Sequence, residues 1–131
     1  MKVVLDCNVL ISAARTDGVC RAVIVEAVRH HEVVLSAPIL EEYRAVAMRS
    51  EHDRARQTAF AVIAELESVA LLVEPIDPPQ HLADPDDTIY LGTALAGGAD
   101  TLITGNARDF PEEACGGVVI MTPRAFLDRE R

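Results

Sequence analysis

The stretch Asp84-Pro85-Asp86-Asp87-Thr88-Ile89-Tyr90-Leu91-Gly92-Thr93-Ala94-Leu95-Ala96-Gly97-Gly98-Ala99-Asp100-Thr101-Leu102-Ile103-Thr104-Gly105-Asn106 decides the fold. Tyr90, Leu91, Ala94 and Leu95 recur at helical spacing, which predicts a helix over Asp87 to Ala96. Gly97 and Gly98 end it, since glycine takes the left-handed conformation that closes helices. Thr101 to Ile103 then reads as a short buried strand, and Gly105 permits a sharp exit into a loop carrying Asn106 and Asp109. A helix that begins in acids, a glycine stop and a β-branched strand together make one α/β unit.

The rest of the chain repeats this alternation. Strands are expected at Val3 to Leu5, Glu32 to Leu35, Ala70 to Val73 and Val118 to Met121. Helices are expected at Val9 to Ala14, Val19 to His31, Ile39 to Met48 and Asp53 to Ser68, with a last one from Thr122 and Pro123 through Asp128. Ser36 reads as the N-cap of the third helix and Pro38 suits its first turn. Pro75, Pro78, Pro79 and Pro85 make residues 74–85 an extended connection. Such alternation implies right-handed β-α-β units and a three-layer α/β/α sandwich around a central parallel sheet of four to five strands, formed by one domain over residues 1–131. In such sheets sites form beyond the carboxyl ends of the strands.

That rule gathers acids from separate segments. Asp6 follows the first strand, and Asn106 and Asp109 follow the fourth. In the helix after the second strand, Ile39, Leu40, Tyr43, Val46 and Ala47 define the apolar stripe. At about 100° per residue, Glu42 falls roughly 90° from the centre of that stripe and Glu41 nearly opposite, so Glu42 can reach inward while Glu41 is solvated. By the same count Asp87 lies on the stripe of its helix and Asp86 off it. Each acid alone has an ordinary explanation: a helix cap for Asp87, a loop acceptor for Asp6, a solvated helix residue for Glu42. Their convergence from four segments is what suggests a site. Carboxylates crowded together raise one another's pKa values, and a divalent cation removes the conflict. An oxygen-only donor set suits Mg²⁺ or Mn²⁺ rather than Zn²⁺. His30, His31, His52 and His81 have no ligand spacing and read as surface or helix-end residues.

Composition narrows the class further. The chain has 131 residues, half of them apolar, only 4% aromatic and no Trp, so the core is aliphatic. Met1 and Lys2 lead straight to a strand, and no apolar run approaches the roughly 20 residues of a membrane span, so a soluble, cytoplasmic protein is expected. Cys7, Cys20 and Cys115 form no C-x-x-C pair, which argues against a disulfide framework or structural zinc, and Cys7 reads as a small buried thiol. A net charge of −9 argues against nucleic-acid binding unless the acids gather around cations that invert the local sign.

Four motifs in order carry a family resemblance. They are Val3-Val4-Leu5-Asp6-Cys7-Asn8-Val9-Leu10, Ser36-Ala37-Pro38-Ile39-Leu40-Glu41-Glu42-Tyr43, the stretch from Asp84 to Asn106, and Met121-Thr122-Pro123-Arg124-Ala125-Phe126-Leu127. The chain resembles the PIN-domain family over nearly its whole length, in particular the VapC-like ribonucleases that are the toxins of bacterial toxin–antitoxin pairs. The resemblance implies metal-dependent cleavage of RNA, with metal-binding and catalytic acids at Asp6, Glu42 and Asp87. It also implies an antitoxin partner and a homodimer. Where the family often has a fourth acid this chain has Asn106, an amide that coordinates through oxygen but adds no charge, and Asp109 is the candidate replacement. Asn8 and Thr104 are polar support, Asn8 orienting Asp6 and Thr104 contacting water, metal or phosphate. Lys2 is the only lysine, so RNA would be held by arginines, and Arg15, Arg44, Arg49 and Arg108 lie in or near the site-forming segments.

Three other classes compete. A signalling receiver domain needs a lysine after its last strand, where this chain has Thr122 and Pro123. A phosphate-loop ATPase needs a G-x-x-x-x-G-K-[ST] stretch, which does not occur. A PIN fold without nuclease activity, acting only as a binding module, is kept open by Asn106 and the acidic charge.

Overall fold

A computed structural model of the chain describes residues 1–80 and 82–129. Five strands, β1 (Lys2–Leu5), β2 (Glu32–Leu35), β3 (Leu71–Leu72), β4 (Thr101–Ile103) and β5 (Val119–Met121), form a sheet in the order β3-β2-β1-β4-β5. Every neighbouring pair is parallel. Val3, Val4 and Leu5 of the central strand are each 0% exposed. Successive side chains of a strand point to opposite faces, so three buried in a row require cover on both. The cover comes from α1 (Cys7–Arg15), α2 (Val19–His30), α3 (Ala37–Met48), α4 (Asp53–Val69), α5 (Pro85–Gly97) and α6 (Pro123–Arg129). Helix α5 lies across β1, β2 and β4, α2 and α4 pack against β2, and α6 packs against α2 and β5. This is the expected α/β/α sandwich.

Several local expectations change. Helix α1 begins at Cys7 rather than Val9, so Asp6 occupies its N-cap position directly after β1. Strand β3 is two residues long, shorter than Ala70 to Val73, and both side chains are exposed at the sheet edge. Short edge strands offer little backbone for further pairing. Ser36 stands at the N-cap of α3 but makes no cap hydrogen bond; its hydroxyl is 2.7 Å from that of Thr93 in α5. Both residues are fully buried, and two buried hydroxyls satisfy each other where neither reaches water. Two 3₁₀ turns, Ala107–Asp109 and Glu112–Ala114, fall where the sequence has no periodicity to announce them.

The histidines divide. His30 and His52 are exposed, as expected, and His81 lies outside the described residues. His31 is a helix-end residue, the C-cap of α2, with its side chain turned inward and 6% exposed. Its ring packs on Phe126 at 5.1 Å, and its Nδ1 lies 3.1 Å from the Met1 amino group. The reason is position, since the residue that links α2 to β2 is roofed by α6.

One helical glycine is held by a close approach. A Cβ at Gly92 would stand 2.3 Å from the carbonyl oxygen of Ile76, whose own N–H donates to the Gly92 carbonyl at 3.2 Å. The extended connection thus lies directly on α5. Replacing a helical glycine by alanine ordinarily gains about 1 kcal/mol. Gly92→Ala is expected to lose about 1–3 kcal/mol of unfolding free energy through overpacking, measured as a lowered midpoint in urea.

Candidate active site

The parallel pairing of β1 and β4 ends with Leu5 opposite Ile103, so Asp6 and Thr104 leave the sheet side by side. The Asp6 N–H still donates to the Ile103 carbonyl at 3.0 Å. The Thr104 hydroxyl donates to Oδ2 of Asp6 at 2.6 Å and accepts the Asn106 N–H at 3.0 Å. Asp6 is 4% exposed and Thr104 0%. The carboxylate is therefore held at one oxygen by Thr104, and the Cys7 thiol lies against it. In helix α3 the buried Tyr43 hydroxyl donates to the Leu5 carbonyl, tying that helix to the end of β1 and bringing Glu42 beside Asp6. In helix α5 the cap is Asp84, whose side chain accepts the Asp86 N–H at 2.9 Å. Capping thus does not consume Asp87, which lies half-buried one turn before Tyr90.

These elements surround one cleft of about 190 Å³. Six carboxylates line it, Asp6, Glu42, Asp84, Asp86, Asp87 and Asp109, together with Asn8, Asn106, Cys7 and Tyr90. The residues expected from four segments do meet, and Glu41 is exposed and faces a different groove. No lysine or arginine among the described residues lines the cleft. Asp87 bears the consequence: burial, then the charges of Asp84, Asp6, Asp109 and Asp86, push its carboxyl up to about 6. The thiol of Cys7 is pushed up to about 12, chiefly by burial, so without a cation it stays protonated.

The donor set left to a cation is carboxylate and amide oxygen, with uncompensated negative charge around it. That chemistry fits a hard divalent cation. Among the described residues, no three acidic, histidine or cysteine side chains close to metal-gripping distance. The carboxylates share a cleft without clenching, as like charges do.

Other expected residues fall elsewhere. The Thr104 hydroxyl orients Asp6, and Asn8 is exposed at the cleft wall with no hydrogen bond to Asp6 among the described residues. Arg44 pairs with Glu67 at 3.2 Å on the outer side of α3. Arg15 ends α1 and lines a separate cleft, while Arg108 is exposed and lines neither. Tyr90 is a site residue that sequence reading placed only in the core stripe. It is 2% exposed, and its hydroxyl lies against the Cys7 thiol with no well-directed hydrogen bond among the described residues. Its place one helical turn after Asp87 was the available signal.

A parallel α/β/α sandwich with a carboxylate cleft beyond its strand ends defines the class, and comparison gives the family. The PIN domain model matches residues 2–108, so the chain belongs to the PIN domain family. No curated protein matches it. In fold it is similar to VapBC2 from Rickettsia felis, crystallised with a DNA fragment from its promoter (TM-score 0.65, 14% identity, covering 93% of this chain and 98% of that one). It is also similar to VapBC-1 from nontypeable Haemophilus influenzae (0.63, 18%, 95% and 99%) and to FitAcB from Neisseria gonorrhoeae (0.64, 17%, 93% and 98%).

The Asp87 shift has a sign. Its pKa is raised from 3.8 to about 6 in the folded protein, so ionising it destabilises the fold. The stabilising contribution of the protonated form is complete below pH 3.8 and is lost as pH rises through about 6. In EDTA, Asp87→Asn is expected to melt higher than the parent above pH 6, with the gain shrinking towards pH 4. Melting curves at pH 7.5 and 4.5 check this, and a pH-independent gain would contradict it.

Proposed function

We propose that the chain, acting over residues 1–131 as a single PIN domain, is a metal-dependent endoribonuclease that hydrolyses RNA phosphodiester bonds. The observation that carries this reading is the meeting of Asp6, Glu42, Asp87 and Asp109 in one cleft. Asp6, Glu42 and Asp87 are the residues that would hold Mg²⁺ or Mn²⁺, with Asn106 and Asp109 completing the set. A divalent cation bound there supplies Lewis acidity, lowering the pKa of a water and offsetting charge that develops on phosphate oxygens.

The protein's own part is positioning and proton transfer. Thr104 fixes one oxygen of Asp6 and leaves the other to the cleft. Tyr43 holds α3 against the end of β1 and so keeps Glu42 in place. Glu42 or Asp87, carboxylates at the same cleft, can take a proton from the attacking water. Asn8 offers an amide at the rim.

The likeness in fold to the VapBC and FitAcB structures supports a place as the toxin of a bacterial toxin–antitoxin pair, with a cognate antitoxin; a homodimeric form and a cytoplasmic setting are part of the same proposal. Among the described residues no helix is long and apolar enough to cross a membrane.

A second reading is a PIN-fold binding module with weak or no catalysis. Asn106 in the place of an acid and the net charge of −9 favour it. A ribonuclease assay separates the two. With Mn²⁺ the purified protein is expected to cut single-stranded RNA, and EDTA to abolish cutting. Thr104→Val is expected to lose about 10–100-fold, as outer-shell changes do, and Asp6→Asn more than that. No cleavage, with a tight complex formed with the product of a neighbouring gene, selects the binding module. Saturation with Mn²⁺ at 100 times its dissociation constant is expected to add about 2.7 kcal/mol of stability, read as a rise in melting temperature that EDTA reverses.

A further inference from the structure

A larger cleft, of about 880 Å³, lies away from the acid cleft, among the C-terminal ends of α1 and α3 and the start of α4. Arg15, Arg21, Arg49 and Arg54 line it, with His52, against a single carboxylate, Glu51. Four of the chain's twelve lysines and arginines thus gather in one place in a protein of net charge −9.

Helix electrostatics explains only part of this. Arg15 is in the last turn of α1 and Arg49 caps α3, where the macrodipole favours cations. Arg54 stands in the first turn of α4, where the dipole disfavours one. Its neighbour Asp53 is taken by Arg56, and Arg44 by Glu67, whereas none of the four cleft arginines is in an ion pair among the described residues. The walls are fixed. Arg21 Nε donates to the Ala13 carbonyl at 2.9 Å, and Arg56 donates to the Ser50 carbonyl at 3.2 Å across the α3–α4 link.

The two clefts are in register. Arg15 follows Asn8 by seven residues on α1, and Arg49 follows Glu42 by seven on and just beyond α3. Seven residues are close to two helical turns, so each arginine shares a face with an acid-cleft residue about 10 Å away along the axis. Both helices start at the same sheet edge, because β1 and β2 are parallel.

We propose that this cleft binds backbone phosphates of the RNA strand whose scissile bond lies in the acid cleft, on the same strand and about two helical turns along α1 and α3 from that bond. The inference rests on the ribonuclease reading. An acid cleft repels phosphate, so affinity for RNA has to come from a neighbouring cationic surface, and guanidinium forks match phosphate geometry. An acidic protein segment is the other anion to consider. The cleft has no large apolar side chain in its lining, only Ala14, Ala55 and Thr58 beside the polar residues, whereas protein interfaces centre on apolar anchors.

The test measures fluorescence polarisation of a labelled ten-nucleotide single-stranded RNA in EDTA, where nothing is cut, over a range of salt. Arg49→Ala/Arg54→Ala is expected to weaken binding about tenfold or more and to flatten the salt slope by about 1.4, two contacts at about 0.7 each. Arg49→Lys/Arg54→Lys retains the slope, and Arg124→Ala/Arg129→Ala, which removes the same charge from α6, retains the affinity. Equal RNA binding by the parent and the double alanine variant overturns the proposal even if the protein cleaves RNA, and so does no RNA binding by the parent. Poly-glutamate binding tighter than RNA through Arg49 and Arg54 overturns it in favour of an acidic protein partner. Loss of binding in the double alanine variant of a protein that cuts no RNA leaves this site standing while the nuclease reading falls.

Discussion

Two short strands running the same way, β1 and β4, set the position of everything at the cleft. Their register places Leu5 opposite Ile103, and the next residues out, Asp6 and Thr104, meet in a buried 2.6 Å hydrogen bond. A buried carboxylate is costly unless its oxygens are satisfied, and this bond satisfies one of them. Because β2 is parallel to β1 on its other side, α3 starts at the same edge, and Tyr43 ties it to the last carbonyl of β1. Helix α5 lies across β1, β2 and β4 and presents Asp87 to the same opening. An antiparallel pairing would send these ends to opposite edges of the sheet.

The cleft so formed is a place where folding and function pull apart. Six carboxylates face one small volume with no cationic side chain beside them among the described residues, and Asp87 shows the strain as a raised pKa. An aliphatic core buried on both faces of β1 and β2 bears that cost. Sites that offend a local stability rule are commonly the ones with a chemical purpose.

Charge in this acidic protein is sorted rather than spread. Helices α1 and α3 carry acid-cleft residues in their first halves and, at their ends, arginines with no ion pair among the described residues. The net charge of −9 therefore says little about either cleft. Local sign decides what approaches, because screening in physiological salt confines each field to about 8 Å.

Much of the architecture was legible in the chain. The alternation of β-branched runs with helical stripes gave the parallel sheet, since each period is a local property of neighbouring residues. The phase of Glu42 against Glu41, and of Asp87 against Asp86, identified which acids turn inward, because helical geometry is the same everywhere. Contacts between distant segments were another matter. That Thr104 rather than Asn8 holds Asp6, that Ser36 spends its hydroxyl on Thr93 instead of capping its helix, and that His31 is roofed by α6 all depend on which side chains meet across the fold. The sequence alone determined the elements, their order and the acids on their inner faces. Only the tertiary structure decided which polar group each buried atom bonds, because that choice belongs to partners far apart in the chain and close only once it is folded.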